Sequence, residues 1–120
     1  MESKLFVYGT LKRGLGNNRL LVHTDFLGVA TSIDRFNIYD CGFPCAEFNP
    51  DGKHLKGEIY DLTEHDFYFT DMLESNGSLY QREIREFDLH GEIVKAWIYI
   101  IITPFGRFYE TTAEVINWKG

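Results

Sequence analysis

Residues 80–102, YQREIREFDLHGEIVKAWIYIII, decide how this chain folds. Two runs, one alternating polar with apolar residues and the other almost wholly apolar, meet at His90 and Gly91, which suit a tight turn. The stretch therefore predicts a long antiparallel hairpin. Its most apolar part, AWIYIII over 96–102, has the length of one strand and falls far short of the roughly 20 residues needed to span a bilayer as a helix.

Moving toward the N-terminus, NPDG at 49–52 is a turn signal between the strand-like CAEF and HLKGEIYDL, and FLGVAT and FNIYD are further short extended runs bounded by Gly, Asp and Pro. KLFVY at 4–8 reads as a buried strand that runs into a loop at Gly9 and Thr10. Asn18 in that loop is a candidate cap for a short helix carrying Leu20, Leu21 and Val22. Thr63 followed by Asp66 resembles a capping pair, and Phe69, Met72 and Leu73 then fall at i, i+3, i+4 as the apolar face of a helix ending at Ser75, Asn76 and Gly77. Beyond the hairpin a short strand is expected near Phe108 and Tyr109. No repeat or linker divides residues 1–120, so one domain is expected. The connections are too short for repeated βαβ crossovers, which gives an α+β class with a mainly antiparallel sheet. With so few helices to cover it, such a sheet closes into a small barrel.

Composition narrows the function. The formal charge of −6 offers no extended positive surface for phosphates, so nucleic acid and anionic membranes are excluded as partners. Lys12 and Arg13 make only a local positive spot. The opening MESKLFVYG lacks the layout of a signal peptide, and a cytosolic location follows as an expectation. Cys41 and Cys45 flank GFP in a C-x3-C arrangement unlike redox or zinc motifs, and both are expected to be reduced and structural. His23, His54, His65 and His90 are scattered without metal-ligand spacing, so no metal is expected.

Two places carry candidate chemistry. A glycine directly after a buried strand lets backbone approach a ligand, and successive N–H groups in the turn after Gly9 can form an anion site, although a plain turn explains the same spacing. The loop lacks G-x4-G-K-[ST], which removes ATP and GTP from consideration. Glu74, at the helix C-terminus, faces the negative end of the macrodipole. Glu47, Glu58, Asp66 and Asp71 compete with it, and local pattern does not rank the five.

Taken together and in order, FVYGTLKRG, Phe43-Pro44, GEIYDL, DMLESNGSLYQR and AWIY resemble the γ-glutamyl cyclotransferase family, and within it the γ-glutamylamine cyclotransferases and AIG2-like proteins most. The resemblance implies a small β-barrel with flanking helices. It implies that the loop of Tyr8, Gly9, Thr10 and Leu11 binds the γ-glutamyl group, that Glu74 is the general acid/base, and that Tyr8 and Tyr80 are hydrogen-bonding walls of the pocket. The implied reaction cyclises a small-molecule γ-glutamyl amine to 5-oxoproline and free amine, with neither metal nor organic cofactor. A non-catalytic binding module on the same fold is the alternative, and a carrier-bound γ-glutamyl substrate is a third possibility. Two departures stand out. Thr70-Asp71 occupies the place of the family's Leu-Asp, and Thr10 stands where glutathione-degrading relatives have Ser, which disfavours glutathione.

Overall fold

The hairpin forms as expected in a computed structural model that describes residues 2–119. Strand β6 (Tyr80–Leu89) pairs with β7 (Glu92–Ile101) without interruption, from Tyr80 opposite Ile101 to Leu89 opposite Glu92. His90 (φ 54°) and Gly91 (φ 86°) both take positive φ, the geometry that a two-residue turn needs to match the twist of its strands.

Three more strands close the sheet on itself. They are β1 (Lys4–Val7), β2 (Asp25–Ser32) and β5 (His54–Asp61). The ring runs β1, β7, β6, β2, β5 and back to β1. All its pairings are antiparallel except β1 with β7, which meet in parallel at Leu5 and Trp97. The register of β2 shifts between Phe26 and Gly28, a bulge of the kind that bends a strand for closure. A separate small sheet holds β3 (Phe36–Asp40), β4 (Pro44–Phe48) and β8 (Arg107–Phe108), and β9 (Val115–Ile116), unanticipated from sequence, extends β5 in parallel.

Burial explains why β1 and β7 read as continuously apolar. Phe6, Ala96, Ile98 and Ile100 point into one core with Phe36, Ile59 and Phe87, while Leu5, Val7, Tyr99 and Ile101 on the opposite faces join a second core with Leu21, Leu62 and Phe67. With both faces covered, no polar alternation is possible.

The second core is roofed by α1 (Glu64–Glu74). Thr63 accepts from the Asp66 amide and Asp66 accepts from the Thr63 amide, completing the capping box. The helix turns a different face inward from the one its apolar periodicity suggests. Thr70 is 1% exposed, whereas Phe69 is 44% and Met72 61% exposed. The reason is that the barrel presents polar groups to the helix: Thr70 Oγ1 bonds the Tyr99 hydroxyl at 2.8 Å, and Asp71 takes Arg82 bidentately at 2.7 and 3.0 Å. An apolar face there would strand these groups. Asn18 also departs from expectation. It begins a single 3-10 turn, Asn18–Leu20, as an interior residue rather than its cap, and its side chain donates to the Leu11 carbonyl and the Tyr60 hydroxyl. Both cysteines are free thiols. Among the described residues no helix is long and apolar enough to cross a membrane.

Candidate active site

A cavity of about 270 Å³ lies where β1 runs out into its loop, beneath the last turn of α1. Its lining includes Tyr8, Gly9, Thr10, Leu11, Glu74 and Tyr80, so residues 66 positions apart in sequence meet in one space. Helical spacing accounts for the placement of Glu74. It lies four residues after Thr70 and seven after Phe67, both buried, and therefore shares the inward face of α1. Ser75, in the left-handed conformation at φ 49°, ends the helix just after it.

The loop opposite is held from several sides. The Asn17 amide donates to the Thr10 carbonyl at 2.9 Å and its side chain to Thr10 Oγ1 at 2.8 Å. Lys12 Nζ is buried against Asn117 Oδ1 at 3.1 Å and the Trp118 carbonyl. Arg13 binds Glu58 through its amide at 2.8 Å and Nε at 3.2 Å. The positive spot read from Lys12 and Arg13 thus anchors the loop, Lys12 from inside the fold and Arg13 from the surface through Glu58. Among the described residues, the amides of Gly9, Thr10 and Leu11 have no acceptor, which leaves them available to a ligand. Gly9 itself is required by close approach: a Cβ there would lie 2.8 Å from Pro44 Cγ.

The tyrosine walls use their hydroxyls internally. Tyr8 donates to the Tyr99 carbonyl at 2.6 Å and accepts from the Ala46 amide, and Tyr80 donates to the Pro44 carbonyl at 3.0 Å. Burial holds the pKa of Tyr8, Tyr80 and Tyr99 well above the ordinary tyrosine value, so all three stay neutral. They shape and dry the pocket, and their phenols are already committed to backbone carbonyls or, for Tyr99, to Asp71 at 2.5 Å.

The competing carboxylates now separate. Asp66 serves the helix cap and His23, Asp71 pairs with Arg82, Glu58 accepts from Arg13 and Tyr60, and Glu47 faces Tyr39 at 3.5 Å. Glu74 alone of the five lines the cavity, and among the described residues nothing donates a hydrogen bond to it. Burial without a compensating partner pushes its pKa up to about 7. The folded state therefore binds this proton more tightly than the unfolded chain. The associated stability is fully present below the unfolded value of about 4.5 and is lost as pH rises through about 7. Glu74→Gln is accordingly expected to be more stable than wild type at pH 8 by on the order of 1–2 kcal/mol, discounted for partial exposure, with the difference vanishing near pH 4. Denaturant melts at the two pH values measure this, and a variant less stable than wild type at pH 8 would contradict the buried-charge account.

Sequence reasoning passed over Tyr99, Asn17, Leu73 and Leu79, which also line the cavity. Tyr99 had a signal, a polar-tipped ring within the apolar run of β7. Asn17 had none beyond its place in a turn. The segment 104–119 contributes no lining residue. Phe43 joins Leu73 and Leu79, which lie on either side of the turn that follows α1, in the lining.

Comparison with known proteins shows the family and the fold. The family described as "Gamma-glutamyl cyclotransferase, AIG2-like" matches residues 5–118. A Vibrio cholerae protein named "Putative gamma-glutamylcyclotransferase" is 34% identical over 101 residues, covering 83% of each chain. The Escherichia coli K12 "Gamma-glutamylcyclotransferase family protein YtfP" is 28% identical over 102 residues, covering 84% of each. In fold, the chain is similar to the crystal structure of an AIG2-like protein from Mus musculus, with a TM-score of 0.77 at 24% identity over 92% of this chain and 90% of that one. The family match extends across the barrel, the loop after β1 and the helix that carries Glu74, and the chain belongs to the γ-glutamyl cyclotransferase, AIG2-like family.

Proposed function

We propose that this protein cyclises γ-glutamyl amines to 5-oxoproline and free amine, with Glu74 as general base and then general acid. The observation that carries this reading is a lone carboxylate, raised to about 7, across one cavity from a loop with three unpaired amides.

In a γ-glutamyl amine the nucleophile and the electrophile belong to the same molecule, so the protein needs no nucleophile of its own. Glu74 takes a proton from the α-ammonium and releases it to solvent, and the freed nitrogen attacks the γ-carbonyl carbon to close a five-membered ring. The tetrahedral oxygen anion is received by the Gly9, Thr10 and Leu11 amides. The ring nitrogen, cationic once bonded, gives its surplus proton to Glu74, which passes it to the leaving nitrogen as the carbon–nitrogen bond breaks, so that 5-oxoproline keeps one lactam N–H and the amine leaves neutral. A base near 7 suits this exchange because α-amino groups titrate at about 8, close enough for transfer in both directions. Among the described residues no group of three His, Cys, Asp or Glu is placed to hold a metal ion.

The reading is tested with a panel of ε-(γ-glutamyl)lysine, its α-linked isomer and its N-acetylated form, with amine release as the readout. Turnover of the first alone is expected, because capping the amine removes the nucleophile and moving the linkage removes the five-membered closure. Activity is expected to survive exhaustive chelation. Equal release from the α-linked isomer, or restoration of a lost activity by an added divalent metal, would contradict the mechanism.

A further inference from the structure

A second depression, of about 290 Å³, shares no lining residue with the cavity of Glu74, yet the same loop serves both. Gly9, Thr10 and Leu11 line the first, and Lys12, Arg13 and Leu15 line the second. Lys56 of β5 and Lys119, beyond β9, complete a set of four cations, and Glu58 is the one carboxylate in the lining. A third of the chain's 12 lysines and arginines thus meet in one place on a protein of formal charge −6.

Most of that charge is not neutralised within the fold. Glu58 is taken by Arg13 and by the Tyr60 hydroxyl. Among the described residues, Lys56 and Lys119 have no acidic partner, and Arg13 uses only its amide and Nε on Glu58. Lys12 is the decisive member. It is 7% exposed, and its ammonium binds Asn117 Oδ1 and the Trp118 carbonyl, two neutral acceptors for three N–H donors. Burial pulls its pKa below the ordinary lysine value, Glu58 opposes the shift, and the charges of Lys119 and Lys56 add to it. Buried charges are ordinarily paired, so an ammonium in this setting calls for an anion.

We propose that this depression is a binding site for a phosphate group, as inorganic phosphate or a small phosphate monoester, held by Lys12, Arg13, Lys56 and Lys119. A phosphate carries nearly two charges and at least three acceptor oxygens, which answers four cations set against one carboxylate better than the single charge of a carboxylate ligand. Leu15, Val29 and Trp118 supply apolar surface for the organic half of an ester. A nucleic-acid backbone needs a more extended positive surface than this one depression. The site stands apart from Glu74 and does not rest on the cyclisation reading. Its occupant ties the loop after β1 to β5 and to the segment after β9, so binding stabilises the folded chain.

Calorimetric titration of the full chain at pH 8 with inorganic phosphate, phenyl phosphate and benzoate tests this. Phenyl phosphate is expected to bind about tenfold or more tightly than benzoate, which presents the same ring with a carboxylate. Inorganic phosphate binding as tightly as phenyl phosphate assigns the site to the free ion, and weaker binding assigns it to an ester. Lys56→Gln combined with Lys119→Gln, both at exposed positions, is expected to weaken phenyl phosphate binding about tenfold without lowering the melting temperature of the unliganded protein. Glu74→Gln is expected to leave that affinity unchanged, whereas a phosphate held by the loop amides in the first cavity would bind more tightly once the carboxylate charge there is gone. The inference is overturned by an absence of saturable binding of either phosphate up to about 10 mM. It is equally overturned by benzoate matching phenyl phosphate, or by an affinity that responds to Glu74→Gln and not to the lysine substitutions.

Discussion

Glu74→Gln is expected to lower kcat by about 10²- to 10⁴-fold, the usual contribution of general acid–base catalysis. Glutamine keeps the size and the hydrogen-bonding oxygen of the side chain but cannot take up the ammonium proton. The loss should therefore fall on kcat, with KM little changed, because the interaction removed is made in the reaction step. In wild type, kcat/KM should rise with pH through about 7, as the raised carboxyl of Glu74 ionises. The residual activity of the variant should lack that inflection. Steady-state kinetics between pH 5 and 9 on both proteins provide the check, and equal turnover under chemistry-limited conditions would remove Glu74 from the mechanism.

Gly9→Val is expected to reduce kcat/KM by about 10²-fold or more, comparable to the loss of one oxyanion donor, which costs about 3 kcal/mol in other enzymes. The structural cause is specific. A Cβ at Gly9 would meet Pro44 Cγ at 2.8 Å and Cδ at 3.3 Å, so either the loop or β4 must shift. Pro44 lines the cavity and its carbonyl receives the Tyr80 hydroxyl, so that shift would disturb the floor and the amides together. Overpacking of this kind also destabilises by roughly 1–3 kcal/mol. Thermal melting separates the two effects, because a folded variant with full activity would show that the approach of Gly9 to Pro44 does not position the loop.

The parts of the fold legible in sequence were those set by local chemistry. The β6–β7 hairpin could be read because its turn residues and its strand patterns agree, and the capping box because Thr63 and Asp66 are three residues apart. The inward face of α1 could not be read that way. Phe69, Met72 and Leu73 give the stronger apolar period, yet Thr70 and Asp71 face the barrel because Tyr99 and Arg82, distant in sequence, present polar groups there. This long-range pairing is what turns Glu74 inward. By local pattern Glu74 was one of five equivalent carboxylates, and its distinction lies in having no partner, a property that exists only after the other four have found theirs. The loop after β1 is an intermediate case. Gly9 announced a close approach, but the residue approached is Pro44, brought there by a separate sheet.

The central claim is that the substrate's own amine, and not water, attacks the γ-carbonyl. It is tested most directly by incubating the protein with a γ-glutamyl alkylamide in ¹⁸O-enriched water and identifying the acid product by mass spectrometry. Intramolecular attack yields 5-oxoproline with no solvent oxygen incorporated, in amounts equal to the amine released. Free glutamate carrying one ¹⁸O would make water the nucleophile and the protein a hydrolase, contradicting the account.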